Sequence, residues 1–364
     1  MRQVVEADLE DLAIGAAVLG TGGGGNPYIG KLLAQQAIRQ HGPVTLVDVD
    51  EVPDDALVVP SAMMGAPTVM VEKLPRGDEI IRAFKTLEDY LGRRITHTVS
   101  IEAGGLNSTT PFSVAAQMKI PLVDADGMGR AFPEIQMVTP TMFGISATPM
   151  ALADEKGNTA LITTVDNRWT ERLARSITVD MGATAMIALF VLSGLQLKES
   201  MVPGTIGLAQ ELGRLIRETR MTHGDPVNAI LQRLGGYRVF EGKIADVKRR
   251  TEAGFAKGEA RIDGVQGDTG ASLVIRFQNE HLVAIRDGEI VASVPDLIIV
   301  LGAETGEPIT TEELRYGFRV TVIATPCDGK WRTPAGLALV GPRYFGYDID
   351  YVPVEERFGA AVRA

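Results

Sequence analysis

The sequence predicts an α/β chain in two parts. The first is an N-terminal three-layer α/β/α domain with a mostly parallel sheet, and the second is a C-terminal β-rich domain of barrel or sandwich type. Three observations predict it. Up to about Ile145, short apolar runs alternate with segments of helical periodicity, which is the pattern of parallel strands joined by crossover helices. Several of those runs end in polar, glycine-containing segments, as strands do where they reach the rim of an open sheet. From Tyr237 onward, apolar and polar residues alternate in short runs separated by Gly and Asp turns. A chain of 364 residues is long for one core and comfortable for two. We place an α/β ligand-binding domain at 1–168, a helical connecting region at 169–236 and the β-rich domain at 237–364, with its C-terminal segment packing back on the first domain.

The elements follow in order. Over 8–20, Leu9, Leu12, Ala13, Ala16 and Leu19 recur at helical spacing, with Asp8 as N-cap. Gly20-Thr21-Gly22-Gly23-Gly24-Gly25 ends that helix. Asn26 and Pro27 read as the N-cap and first residue of a second helix over 28–41, which stops at Gly42. Residues 44–49 form a buried strand, and 57–60 form another that runs into Met63-Met64-Gly65. An amphipathic helix over 77–91 precedes a strand over 96–101 that ends in Glu102-Ala103-Gly104-Gly105-Leu106-Asn107. A helix over 111–118 precedes a strand over 121–123 that ends in Asp124-Ala125-Asp126-Gly127. Beyond these, 161–165 reads as a strand, 169–195 as helix interrupted at Gly182, and 211–219 and 226–234 as helices. The apolar run 183–195 falls short of the ~20 residues that span a bilayer and reads as a buried helix. In the last third, strands are expected at 242–249, 255–262, 272–277, 282–286, 297–301 and 318–324, with turns at Asp263-Gly264 and Asp287-Gly288.

Composition excludes several functions. With 36 basic and 46 acidic residues the net charge is −10, so phosphate backbones and anionic lipid are repelled. Aromatics are only 5%, too few for a stacking platform. The expected partner is a small molecule, with no nucleic acid and no membrane. A homo-oligomer is a candidate state. One cysteine, Cys327, and an N-terminus without a basic-then-apolar signal pattern fit a cytoplasmic location.

The glycine run formally matches the dinucleotide fingerprint as Gly20-x-Gly22-x-x-Gly25, with Asp48 or Asp50 near the ribose-acid position. The residues before it read as helix rather than strand, and no phosphate-loop lysine follows. Glycines opening onto a helix N-terminus still let backbone N–H groups approach an anion or a carbonyl oxygen, so Gly22, Gly23, Gly24 and Asn26 are candidate ligand contacts. A tight helix–helix turn is the alternative.

Ligands of open α/β sheets sit beyond the strand C-termini. Glu102, Asp124 and Asp126 are there as candidate catalytic carboxylates, and Gly65, Gly104, Asn107, Arg130 and Glu134 as candidate substrate contacts. Grouped carboxylates can hold a metal, act as acid and base, or accept N–H groups from a ring. They can equally cap helices and pair with Arg130. His41, His97, His223 and His281 are scattered, and no zinc motif is legible. A divalent metal such as zinc remains a candidate cofactor, with Asp124, Asp126 and Cys327 as candidate ligands. Lys330 or Arg332 could lower the Cys327 pKa, although a lone cysteine is more often a passive small residue.

The runs LGTGGGGNP, EAGGLNSTTP, DADGMGRAFPEIQM and WRTPAGLALVGPRYFGYD resemble the S-methyl thiohydantoin desulfurase-like family, with the likeness running from about Asp8 to Asp350. The resemblance implies an N-terminal three-layer α/β domain followed by a β-rich one. It also implies a hydrolase of a five-membered cyclic thioimidate, in which water attacks the ring carbon bearing sulfur, expels a thiol and leaves a hydantoin. On such a ring, the glycine loop and Asn26 or Asn107 meet carbonyls, and Asp124, Asp126 or Glu102 meet N–H groups. One carboxylate of raised pKa would take a proton from water. Two other readings are a non-catalytic ligand-binding or accessory subunit of a hydantoin-processing assembly, and a nucleotide-dependent enzyme using the glycine loop.

Overall fold

The computed structural model describes residues 1–25, 27–65, 76–252 and 254–359. The first sheet is built from strands β1 (Arg2–Val4), β2 (Val44–Val47), β3 (Leu57–Gly65), β4 (His97–Ser100) and β5 (Leu122–Val123). Beside it, β6 (Ala125–Asp126) leaves the sheet, and β7 (Met150–Ala153), β8 (Thr159–Ile162), β9 (Thr184–Ala188) and β10 (Leu192–Ser193) return to it. A final short strand, β11 (Val202–Pro203), pairs only with β6. The order β1-β2-β5-β4-β3-β9-β7-β8 places four parallel strands, β2, β5, β4 and β3, between antiparallel additions, with β10 against the start of β3.

Alternation on β3 makes the layers. Leu57, Val59 and Met63 pack with Ala151, Ala153, Met186 and Ala188 under the helices Glu79–Leu91 and Thr110–Met118. Ala62 and Met64 join Met150, Leu152, Ala185 and Ile187 on the other face, against the helix Asn167–Asp180 and the second domain. Helices Asp8–Leu19 and Thr205–Met221 cross closely because Gly15 lies on the Ala209 carbonyl and Gly213 on that of Asp11, where a Cβ would overlap backbone.

The expected helix over 169–195 is corrected. The helix is Asn167–Asp180; Gly182 at φ 94° and Ala183 at φ 68° end it, and the apolar run becomes β9 and β10. Periodicity does not separate a strand buried on both faces from a buried helix segment. Here β9 lies between β3 and β7, every residue buried. β7 was not anticipated either. Among the described residues, no helix is long and apolar enough to cross a membrane.

The second sheet comprises β12 (Tyr237–Glu252), β13 (Phe255–Gly264), β14 (Ser272–Gln278), β15 (Glu280–Arg286), β16 (Glu289–Ser293), β17 (Leu297–Gly302) and β18 (Arg319–Thr325). It is antiparallel throughout, in the order β16-β15-β14-β13-β12-β18-β17, and curls into a half-barrel. A register shift between Ile244 and Asp246 marks the long strand β12, where bulges bend a strand. The six expected strands are present, five with longer bounds and the last shifted by one residue, and β16 completes a hairpin through Asp287 and Gly288, both at positive φ as a type I′ turn requires. Ile298 and Val300 fill the half-barrel, whereas their neighbours Leu297, Ile299 and Leu301 join the core of the first domain. One apolar cluster therefore runs from the first domain into the second, beside the half-barrel's own core.

Candidate active site at the sheet rim

A cavity of about 80 Å³ lies where β3 and β4 end, closed on one side by the glycine loop and on another by the start of β15. Glu102 and Glu280 both line it.

Glu102 follows β4 and is 6% exposed. Asn107 Nδ2 donates to its Oε1 at 2.6 Å, and the Phe132 N–H to its Oε2 at 3.3 Å. Burial raises its pKa to about 7, opposed by those two donors and by the Arg130 charge. Asn107 is itself fixed, because its Oδ1 accepts the Met63 N–H at 2.8 Å. Its amide thus ties the end of β3 to Glu102.

Glu280 enters from the β-rich domain and is 2% exposed. A Cβ on Gly23 would overlap its Oε1, so the glycine loop lies directly on the carboxyl group, and Oε2 has no hydrogen-bond partner among the described residues. Burial first, and the Glu102 charge second, push the Glu280 pKa well up. The two environments pull the carboxyls apart: Glu102 receives donors that favour its anion, and Glu280 is pushed toward its neutral form.

Arg130 is fully buried, and its donors go to the carbonyls of Ala131, Pro295 and Asp296 and to the Thr21 hydroxyl. Burial lowers its pKa to about 10. It therefore links the rim, the glycine loop and the loop before β17, rather than lining the cavity. Glu134 does line it, and its Oε2 accepts from Tyr344 Oη at 2.8 Å and from Gln136 Nε2. Glu171 and Arg175 pair at the same wall, with the Ile135 N–H on Glu171 Oε2 at 2.9 Å.

Asp124 and Asp126 do not share a face. β5 ends at Val123, and the Asp124 carboxylate turns to the N-terminus of Thr205–Met221, accepting from Ile206 N at 2.9 Å and Gly207 N at 3.0 Å. Asp126 turns inward, where its Oδ1 accepts from Met128 N at 2.8 Å and Gly129 N at 2.5 Å; Oδ2 has no partner among the described residues. Burial, then the charges of Glu102 and Asp328, raise its pKa to about 8.

The glycine loop follows a helix, so the strand of a dinucleotide fold is missing in front of it. Gly22, at φ 91°, lies against the His281 ring, and Gly24, at φ 77°, lies on the Gly104 backbone. Gly24 also lines the cavity, as does Gly65, which is packed on β9. Asn26 lies outside the described residues. Cys327 is buried, and burial followed by the Asp296 charge pushes its thiol up to about 12, overriding Arg332. Among the described residues, no three His, Cys, Asp or Glu side chains gather as a metal site.

Sequence reasoning missed Glu280 and named His281 only as one of four scattered histidines. Their signal was slight: Asn279-Glu280-His281 puts three polar residues, all buried, before the apolar run of β15. His281 Nδ1 donates to the Ile298 carbonyl at 2.9 Å, and burial lowers its pKa to about 4, so the ring is neutral. The C-terminal segment reaches the same rim, where Trp331 Nε1 donates to the Met128 carbonyl at 2.7 Å.

Comparison with known proteins agrees with this architecture. Residues 7–164 match the family profile described as "S-Me-THD-like, N-terminal domain", and residues 165–354 match "S-Me-THD-like, C-terminal domain". The crystal structure of a protein from Chromobacterium violaceum, solved by the Northeast Structural Genomics Consortium, is similar with a TM-score of 0.80. It shares 25% identity over 97% of this chain and 100% of that one. No curated protein matches the chain. With both parts matched in order along nearly its whole length, the chain belongs to the S-Me-THD-like family.

Proposed function

We propose that the protein is a hydrolase of a five-membered cyclic thioimidate, an S-alkyl thiohydantoin, working through Glu102 and Glu280. The observation that carries this is the pair of buried carboxyls on one cavity, one supplied with donors and the other with an unpartnered oxygen. The family name supports the substrate class.

The ring sits with its sulfur-bearing carbon between the two carboxyls. Glu102, as the anion, takes a proton from water while the water oxygen bonds to that carbon. Glu280, protonated, gives its proton to the adjacent ring nitrogen, so that the C=N double bond becomes C–N–H. The tetrahedral intermediate then collapses. The C–S bond breaks, the departing thiolate takes the proton held by Glu102, and the hydroxyl proton passes to Glu280 as the new C=O forms. The products are a hydantoin and a thiol, and both carboxyls return to their starting states. The raised pKa values match the task, since a base near neutrality and an acid that stays protonated both need a dry, carboxyl-rich cavity.

The test is thiol release from an S-methyl thiohydantoin. Glu102→Gln and Glu280→Gln should each lower kcat/KM by roughly 10²–10⁴-fold, the usual span for loss of a general base or acid. Wild-type rates in both variants would remove this assignment, and no thiol release from the wild-type protein would remove the reaction.

A further inference from the structure

We infer that the substituent carried by the ring is cationic or rich in N–H donors, like the side chain of a basic amino acid. This rests on the proposed reaction and names its substrate class more narrowly. Among the described residues, the cavity wall carries Glu134 and Glu171, beside the Glu102 and Glu280 that serve the ring, against one cation, Arg175. Arg175 is committed: its Nε pairs with Glu171, its NH2 group donates to the Pro133 carbonyl at 3.2 Å, and its guanidinium stacks 4.1 Å from the Phe255 ring centroid. It has little left to offer a ligand carboxylate.

The acidic side is less satisfied. Glu134 receives both of its hydrogen bonds, from Tyr344 and Gln136, on Oε2 alone. These bonds orient the carboxylate and leave Oε1 without a donor among the described residues. A neutral alkyl substituent would leave Glu134 unneutralised in a wall whose described residues offer no spare cation, and a carboxylate would add a like charge. A guanidinium or ammonium group supplies both the charge and the donors that Oε1 lacks. The reacting ring occupies the Glu102–Glu280 end, and the substituent extends along the wall to Glu134.

Three S-methyl thiohydantoins of similar size, with guanidinopropyl, butyl and carboxyethyl substituents, test this by kcat/KM. The three corresponding hydantoins are titrated by calorimetry on the same protein. The expected order is cationic, neutral, anionic, with the cationic compound favoured at least about tenfold over the neutral one. In Glu134→Gln that ratio should fall close to one. Equal values for the cationic and neutral compounds, or a ratio unchanged in Glu134→Gln, would overturn the inference. The calorimetric series separates the two claims. Preference for the cationic hydantoin without thiol release from any compound would keep the ligand class and dismiss the hydrolase. Thiol release without preference would do the reverse.

Discussion

Asn107 holds Glu102 by a 2.6 Å hydrogen bond from Nδ2 to Oε1, and the same amide accepts the Met63 N–H through Oδ1. A donor on a carboxylate stabilises its anion, so Asn107 lowers the pH at which Glu102 can act as base. Asn107→Leu should move the acid limb of the pH–rate profile upward by about one to two units, since a hydrogen bond to a charged group is worth about 1.5–3 kcal/mol. The measurement is kcat/KM against pH, and an unmoved limb would mean that Asn107 serves only to join the strands.

Two buried carboxyls make stability fall with alkalinity. Glu102 titrates at about 7 against an ordinary 4.5, and Asp126 at about 8 against 3.8, with burial the main cause in each. Both folded values lie above the unfolded ones. The stability they contribute is therefore complete below about pH 4, declines above it because the unfolded chain has shed protons that the folded one retains, and is gone once the pH has risen through 7 and 8, where the folded carboxyls ionise in turn. The thermal midpoint should decline between pH 5 and 9. In Asp126→Asn it should decline less, because Oδ1 can still accept Met128 and Gly129 while the titrating group is gone. Turnover in this variant should stay within about tenfold of wild type, since Asp126 does not line the cavity. Equal slopes in wild type and variant would contradict the assignment.

Two adjacent glycines should fail differently. Gly23 has no positive φ, but a Cβ there would overlap the Glu280 carboxyl, so Gly23→Ala should displace the acid and cost activity on the order of 10²-fold. Gly24 has φ 77° and lies on the Gly104 backbone, so Gly24→Ala should instead destabilise the fold by about 1–3 kcal/mol. Denaturant midpoints and kcat/KM on the two purified variants distinguish these effects.

Cys327 should be inert in the native protein. With its thiol buried and pushed up to about 12, it has almost no thiolate at pH 8. A disulfide reagent should label it only as fast as the chain opens and immediately in denaturant. Rapid labelling of the folded protein would show that the 327–332 segment exposes it.

Much of the architecture was legible because it is locally encoded. Pro27 starts its helix, Gly42 follows the end, and Asp287-Gly288 turns a hairpin, each through backbone preferences of the residues themselves. Period-two alternation found the strands of the half-barrel for the same reason, since neighbouring side chains on a strand face opposite ways. The run 183–195 was misread because its uniform apolarity comes from burial between β3 and β7, a circumstance its own residues do not record.

The candidate site divides along the same line. Glu102 and Asn107 could be picked out because a polar, glycine-rich strand end is a local signal. Asp124 and Asp126 carry that signal too, yet a turn of chain after β5 sends one to a helix terminus and the other into the interior. Glu280 lies 178 residues from Glu102, and only the packing of the half-barrel on the glycine loop brings them to one cavity. The sequence by itself determined the class, most of the elements and Glu102 as a candidate. The tertiary structure decided which carboxyls meet and how far burial shifts their protons, because desolvation and charge repulsion depend on distance in space and not along the chain.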